Sequence, residues 1–283
     1  MTEINIGTRS SPLALAQTKI IADEIMRSHP GIRINIVGIK TSGDKHLLPF
    51  TSNPSGIKGM FTLELEQALL EGKIDFAVHS LKDLPAEINS RLPIVAYSRR
   101  ANPFDALLGG GDVIGSSSLR RRLQLERLYP DKKILPVRGN INTRLKRLDD
   151  GEFSGLVLAV SGLERLGLES RISRIFSPDE ILPAPGQGIL ACQGRSDRDY
   201  GWLSCVNDEC SRDCAVAERS FASALNAGCN VPVGAYAVID GGMITLKGLY
   251  IDEKTRKFYR GEMKGNRYEA DIIGKKLAEV IMS

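Results

Sequence analysis

Five alternating segments in the first eighty residues constrain the fold more than anything else in this chain. Ile4-Asn5-Ile6-Gly7 reads as a short strand. Ser10-Ser11-Pro12 reads as a helix start, with Ser11 at the N-cap and Pro12 at the first helical position. That helix is expected to run to about Ser28, burying Leu13, Ala16, Ile20 and Ile21, before His29-Pro30-Gly31 ends it. Ile32 to Ile39 alternates as a second strand, Phe61 to Leu70 follows as an amphipathic helix, and Ile74 to Ser80 as a third strand. Strand, helix, strand, helix, strand is the pattern of a doubly wound α/β sheet. Residues 42–59, rich in Gly and Pro and without a period, read as a surface loop of the kind that serves as a lid.

A second unit is expected from about Asn102. Asp112 to Gly115 leads into Ser116-Ser117-Ser118 and then Leu119-Arg120-Arg121-Arg122. Serine hydroxyls and free amides at a helix N-terminus form an anion pocket that guanidiniums strengthen. Ile134 to Arg138 is the next strand, and a helix carrying Arg144 and Arg147 follows it. Leu156 to Val160 is a buried strand, and Ser161-Gly162-Leu163-Glu164 reads as a capping box, with Arg165 next. Pro183 to Gly188 is a turn-rich return toward the first unit. A helix over about Ser211–Leu225 follows, then three strands, with Asp240-Gly241-Gly242 as a hairpin turn, and a closing helix over Ala270–Ile281. These last elements form a small α+β domain.

At 283 residues the chain is long for one core, so two or three domains are expected. The start Met1-Thr2-Glu3-Ile4 lacks the regions of a signal peptide, and no apolar run reaches membrane-spanning length, so a cytoplasmic protein without a membrane partner is expected. Five cysteines, all late in the chain, give no disulfide framework. With all three histidines remote from Cys210 and Cys214, no metal site is expected. Net charge is +4, but Ser116–Leu148 alone carries +8, which calls for an anionic partner. Arginine forks suit carboxylates, whereas a nucleic-acid surface adds Lys and aromatics; aromatics are 6% of the chain, so no nucleic-acid partner is expected.

The chemistry is expected where strands end. His79-Ser80-Leu81-Lys82-Asp83-Leu84-Pro85 follows the apolar Phe76-Ala77-Val78, and taken alone it reads as a solvated turn with an incidental salt bridge. Arg9, Arg120, Arg121, Arg138, Arg144 and Arg165 all fall near strand-to-helix turns or first helical turns. If the sheets are parallel, those turns share one edge, and Asp83 becomes the exceptional anion of a cationic cleft. Cys229, on the glycine-rich turn Asn226 to Pro232, reads on its own as a small buried residue.

Gly7 to Ala14, Ala77 to Asp83, Gly115 to Arg121, Arg138-Gly139-Asn140, Leu163 to Ser170, Pro185-Gly186-Gln187-Gly188 and Gly228-Cys229 together resemble the hydroxymethylbilane synthase (porphobilinogen deaminase) family over nearly the whole chain. The resemblance implies two doubly wound, periplasmic-binding-protein-like lobes, residues 1–98 with 187–206 and residues 99–186, plus a small α+β domain over 207–283. It implies a transferase of heme and porphyrin biosynthesis, monomeric, that joins four porphobilinogen molecules with loss of ammonia into hydroxymethylbilane. A dipyrromethane cofactor linked to Cys229 is implied as the primer. Asp83 is implied to stabilise pyrrole cations. Lys82 and Arg9, Arg120, Arg121, Arg138, Arg144 and Arg165 are implied to bind acetate and propionate groups. Ser11, Ser80, Ser116, Ser117 and Ser118 lie in matching polar turns, and Lys58 and Phe61 where the family has its lid.

Phe104 departs from the pattern by standing where the family usually carries Arg, leaving that cationic contact absent or supplied by Arg99 or Arg100. Ser116 replaces a usual Thr and keeps the hydroxyl. Two other functions fit the same arginines: a non-enzymatic two-lobed binder of a small carboxylate, and a nucleic-acid module using the +8 segment. The first would not need Cys229, and the second would bind long polymers with steep salt dependence.

Overall fold

Residues 2–41, 62–226 and 231–283 are described by the computed structural model, and they divide into two units: Met1–Arg100 with Ile189–Arg212, and Ala101–Gly188 with Asp213–Ser283. The 42–59 loop, Lys58, Phe61 and Cys229 lie outside the described residues.

The first unit begins with β1 (Thr2–Arg9), α1 (Pro12–Ser28), β2 (Ile32–Ile39), α2 (Leu63–Leu70), β3 (Phe76–Ser80) and β4 (Ile94–Tyr97). β1 runs parallel to both β2 and β3, with Ile6 opposite Ile36 and Phe76. Alternation sorts the side chains of these strands to two faces. Ile4, Ile6, Phe76 and Val78 pack against Ile21, Ala22 and Ile25 of α1, while Ala77 packs on the α2 side with Leu65 and Leu69. Full burial of a side chain such as Phe76 contributes about 1.5–3 kcal/mol.

The buried face of α1 corrects the sequence expectation. It runs through Gln17, Thr18, Ile21, Ala22 and Ile25, and Ile20 is 46% exposed. Two polar residues take the stripe because each is satisfied there. Thr18 donates its hydroxyl to the Ala14 carbonyl at 2.9 Å, and Gln17 reaches Ser80 on β3. The N-cap is as expected, with Ser11 Oγ accepting from the Ala14 amide.

The second unit contains β5 (Asp105–Gly109), β6 (Val113–Ser116), α3 (Leu119–Leu128), β7 (Lys133–Pro136), α4 (Ile141–Asp149), β8 (Gly155–Ala159), the short α5 (Val160–Glu164) and β9 (Ile172–Ile175). Its sheet order is β7-β6-β8-β5-β9, with β6 parallel to β7 and β8, and β5 antiparallel to β8 and β9. The capping box at Ser161 does not form. α5 starts two residues earlier than a cap at Ser161 requires, its N-cap is Ala159, and Ser161 is buried inside the helix. The chain then returns as β10 (Leu190–Gly194), antiparallel between β3 and β4, giving the first sheet the order β2-β1-β3-β10-β4. Both sheets are therefore mixed rather than wholly parallel, while their parallel centres keep the strand-to-helix turns on one edge of each.

α6 (Glu209–Ala224), the meander β11 (Val233–Asp240), β12 (Met243–Ile251) and β13 (Phe258–Asn266), and α7 (Ala270–Met282) follow. β11 and β12 join through Gly241-Gly242, with Gly241 at φ +58°. Phe221 of α6, Leu246 of β12, and Ile273 and Leu277 of α7 close the core beneath the meander. Among the described residues, no helix is long and apolar enough to cross a membrane.

Candidate active site

The end of β3 is built to present one turn. Leu81 is fully buried and donates its amide to the Ile189 carbonyl, and Leu84 is buried three residues on. These anchors hold a single 3-10 turn, Leu81–Asp83, whose outer residues are a half-buried Lys82 and an exposed Asp83. Asp83 makes no hydrogen bond or ion pair among the described residues, so the incidental salt bridge that the heptapeptide alone implies is not formed. It borders a recess of about 50 Å³ shared with Arg9 at the end of β1, Ser11 at the start of α1, and Ser80.

Two further groups fix the walls of that recess. The Ser80 hydroxyl accepts from Gln17 Nε2 at 2.8 Å and donates to Gln17 Oε1 at 3.1 Å, so the buried amide locks the serine. His79 is buried and its Nε2 has no hydrogen-bond partner. Burial pushes its imidazole down to about 4; Gln193 pulls it partly back, and the charge of Arg9 adds to the lowering. His79 is thus neutral near pH 7.

In the second unit, Ser118 caps α3, its Oγ accepting from the Arg121 amide, and Ser116 Oγ accepts from the Ser118 amide. Ser116 is fully buried and Ser117 exposed. Arg120 and Arg121 are buried on the inner face of α3, where both meet Asp105 at the start of β5. Arg120 Nη2 lies 2.9 Å from Oδ2, and Arg121 Nη2 lies 2.7 Å from Oδ1. Gln187 Nε2 adds a third donor at 2.7 Å. Burial alone would raise the pKa of Asp105. The charges of Arg121 and Arg120, with hydrogen bonds from Arg121 and Gln187, override it and hold the carboxyl well below the usual range.

One carboxylate shared by two guanidiniums leaves a buried positive charge, and Arg121 Nε has no acceptor. Such a cluster has capacity for a further carboxylate. Next to Gln187, the Gly188 carbonyl accepts from Arg165 Nη2 at 2.7 Å. Burial draws the Arg165 guanidinium down to about 10, against the opposing pull of Glu164. Thus Arg121 and Arg165 reach the segment Gln187-Gly188 directly, and Arg120 is joined to it through Asp105. Arg138, exposed, stands before Gly139, whose φ of +106° makes the turn into α4, and a half-buried Arg144 stands on α4 itself. Phe104 packs edge-on against Tyr236, ring centroids 5.5 Å apart, and beside the apolar cluster of the second sheet.

Sequence reasoning missed Asp105, Gln17 and the state of His79. Asp105 stands alone before the apolar Ala106-Leu107-Leu108, and nothing local announces partners 15 and 16 residues away. The described residues bracketing Cys229, Asn226 and Val231, belong to the second unit.

Two family models match the chain. "Porphobilinogen deaminase, dipyromethane cofactor binding domain" spans residues 4–200, and "Porphobilinogen deaminase, C-terminal domain" spans residues 213–283. A curated relative named porphobilinogen deaminase, from Acetivibrio thermocellus, is 48% identical over 284 residues, covering 98% of this chain and 97% of the relative. Another of that name, from Ruminiclostridium josui, is 46% identical over 288 residues, covering 100% and 99%. Among solved structures, an ABC transporter from Parabacteroides distasonis is similar at a TM-score of 0.42 and 12% identity, covering 80% of this chain and 74% of the other.

Proposed function

The chain belongs to the porphobilinogen deaminase family, and on that premise we propose that it is the transferase that removes ammonia from porphobilinogen and joins four units head to tail into hydroxymethylbilane, with Asp83 as its catalytic carboxylate. The observation that carries the site assignment is the state of Asp83: an exposed, unpartnered anion among the described residues, bordering a recess with Arg9, Ser11 and Ser80. A carboxylate with no internal partner is available to the substrate, and its charge is fixed in place before the reaction begins.

The dipyrromethane cofactor carries acetate and propionate groups and pyrrole N–H donors. The residues present fit such a group. The buried Arg120–Arg121 pair exceeds its one carboxylate, Arg121 Nε lacks an acceptor, and Asp83 is free to accept from a pyrrole nitrogen. When bound, the cofactor supplies the free pyrrole α-carbon on which the chain grows. We assign its attachment to Cys229 and its carboxylates to Arg9, Lys82, Arg120, Arg121, Arg138, Arg144 and Arg165, with Ser11, Ser80, Ser116, Ser117 and Ser118 donating further hydrogen bonds.

Departure of ammonia from the incoming porphobilinogen leaves positive charge on its pyrrole nitrogen. Asp83 stabilises that charge where it develops. Gln17 keeps the Ser80 hydroxyl oriented, and the neutral His79 wall adds no cation to compete with the substrate for Asp83. Lys58 and Phe61 are assigned to the lid, and residues 207–283 to a third domain bearing Cys229. In this reading the enzyme is a cytoplasmic monomer acting on a small molecule. Intact-protein mass spectrometry tests the assignment: freshly purified active enzyme carries a dipyrromethane adduct that is absent from Cys229→Ser. An unmodified mass in active protein overturns it.

A further inference from the structure

The C-terminal half of α3 and strand β13 enclose a second cavity, of about 270 Å³, in the same unit as the Arg120–Arg121 cluster but at the other end of the helix. At 1.5 Å per residue, Arg127 stands about 10 Å along α3 from that cluster. Arg127 and Arg260 line the cavity together with Asp179, Glu180 and Gln124, with Leu128 and Phe258 as its apolar surface.

What distinguishes the cavity is how its charges are shared out. Each carboxylate on the surrounding elements is already committed to another cation. Glu126 pairs with Arg256 at 3.0 Å, Asp179 with Lys247 at 2.7 Å, and Glu180 with Arg174. Arg260 is left with neutral acceptors, the Asp179 carbonyl at 3.0 Å and Gln124 Oε1 at 3.1 Å. The Arg127 guanidinium lies over the Phe258 ring, 4.9 Å from its centroid, and among the described residues makes no hydrogen bond or ion pair. The two guanidiniums repel each other enough that, after burial, Arg127 is the next cause lowering the Arg260 pKa. Arg127 has no charged partner among the described residues, and Arg260 has beside it only Asp179, which is already paired with Lys247, so the two forks together match a dianion.

Size and surface together select its kind. At about 270 Å³ and partly open to solvent, the cavity has room for an organic dianion as well as for inorganic phosphate. Leu128 and Phe258 give a flat apolar body a surface to lie against. We propose that this cavity is a second ligand site, binding a small flat-ring dicarboxylate through Arg127 and Arg260. Porphobilinogen, a pyrrole with an acetate and a propionate, is one member of that class, but the recognition chemistry stands whether or not the reaction assigned above does.

The test reads Arg127 directly and is independent of turnover. Full-length protein is treated with phenylglyoxal, and modification at Arg127 is followed by peptide mass mapping against increasing phthalate, succinate or inorganic phosphate at constant ionic strength. Phthalate is expected to protect Arg127 saturably, at lower concentration than succinate or phosphate. Arg260→Gln is expected to raise the phthalate midpoint about tenfold, the loss of one charged hydrogen-bonding fork. Arg260→Lys, which keeps the charge, serves if the glutamine variant does not fold. Absent or unsaturable protection overturns the site, and an unchanged midpoint in a folded Arg260 variant overturns the pairing. Protection by phosphate at or below the phthalate concentration overturns the ligand class.

Discussion

Asp83 and Asp105 each sit where a strand meets a turn, and each is close to arginine in sequence or space, yet their physical situations are opposite. Asp105 is fully buried, takes hydrogen bonds from Arg120, Arg121 and Gln187, and has a strongly depressed pKa. Asp83 is exposed, has no partner among the described residues, and is held in place by its neighbours Leu81 and Leu84 rather than by its own carboxylate. A carboxylate whose bonding capacity is used up inside the protein works for the fold. One whose backbone is rigid and whose oxygens are vacant is available for chemistry. Under the function proposed for Asp83, the difference is that between positioning a site and acting in it.

The comparison can be broken first at Asp105, where the largest effect is expected. Asp105→Ala leaves two buried guanidiniums sharing no anion, and removing one partner of a buried ionic cluster costs about 3–5 kcal/mol. Urea unfolding reads the loss. Since the folded pKa of Asp105 is depressed, its contribution is fully present above the ordinary carboxylate range and fades as pH falls below about 4. The Ala variant should therefore differ least from the parent in strong acid. A loss under about 1 kcal/mol at pH 7 would show that the cluster does not support the fold.

Asp83→Asn is the mirror experiment. With no internal bond to lose, the variant should unfold within about 0.5 kcal/mol of the parent. Turnover of porphobilinogen should fall by about 10²–10³-fold, the usual cost of deleting a preorganised charge aimed at a transition state. Normal turnover removes Asp83 from its role. A large stability loss would make it a second Asp105.

How much of this contrast was legible in the sequence follows from the range of the interactions. β1, α1, β2 and β3 were readable because period, cap and breaker are local: Ser11-Pro12 starts α1 and His29-Pro30 ends it. The position of Asp83 at the exit of a buried strand was readable for the same reason. β5, β9 and β10 were not, because antiparallel pairing with distant strands sets their places: β5 with β8, β9 with β5, and β10 with β3 more than a hundred residues away. The buried face of α1 was misjudged at Ile20 because hydrophobicity alone does not reveal that Gln17 and Thr18 are satisfied by Ser80 and the Ala14 carbonyl. Family resemblance named Arg120 and Arg121 as binding residues but did not bring in Asp105, whose partnership arises from tertiary packing of β5 on α3.

His79 sharpens the contrast at its smallest scale, because it places a buried titratable group in the region of Asp83 rather than that of Asp105. Its folded pKa, about 4, lies below the ordinary histidine value of about 6.5. Above pH 6.5 both folded and unfolded chains carry it neutral, and it contributes no pH dependence. Between pH 6.5 and 4 the unfolded chain takes up a proton that the folded chain refuses, so stability declines as pH falls through that window. At pH 5 the decline amounts to about 2 kcal/mol from this one residue. His79→Gln keeps a polar side chain without the titration, and its unfolding free energy should fall less than the parent's between pH 7 and pH 5. The comparison is made as a difference between the two proteins, which cancels the contributions they share. If the two decline in parallel, His79 takes up its proton in the folded chain as readily as in the unfolded one, and the recess beside Asp83 holds a cation below about pH 6.5.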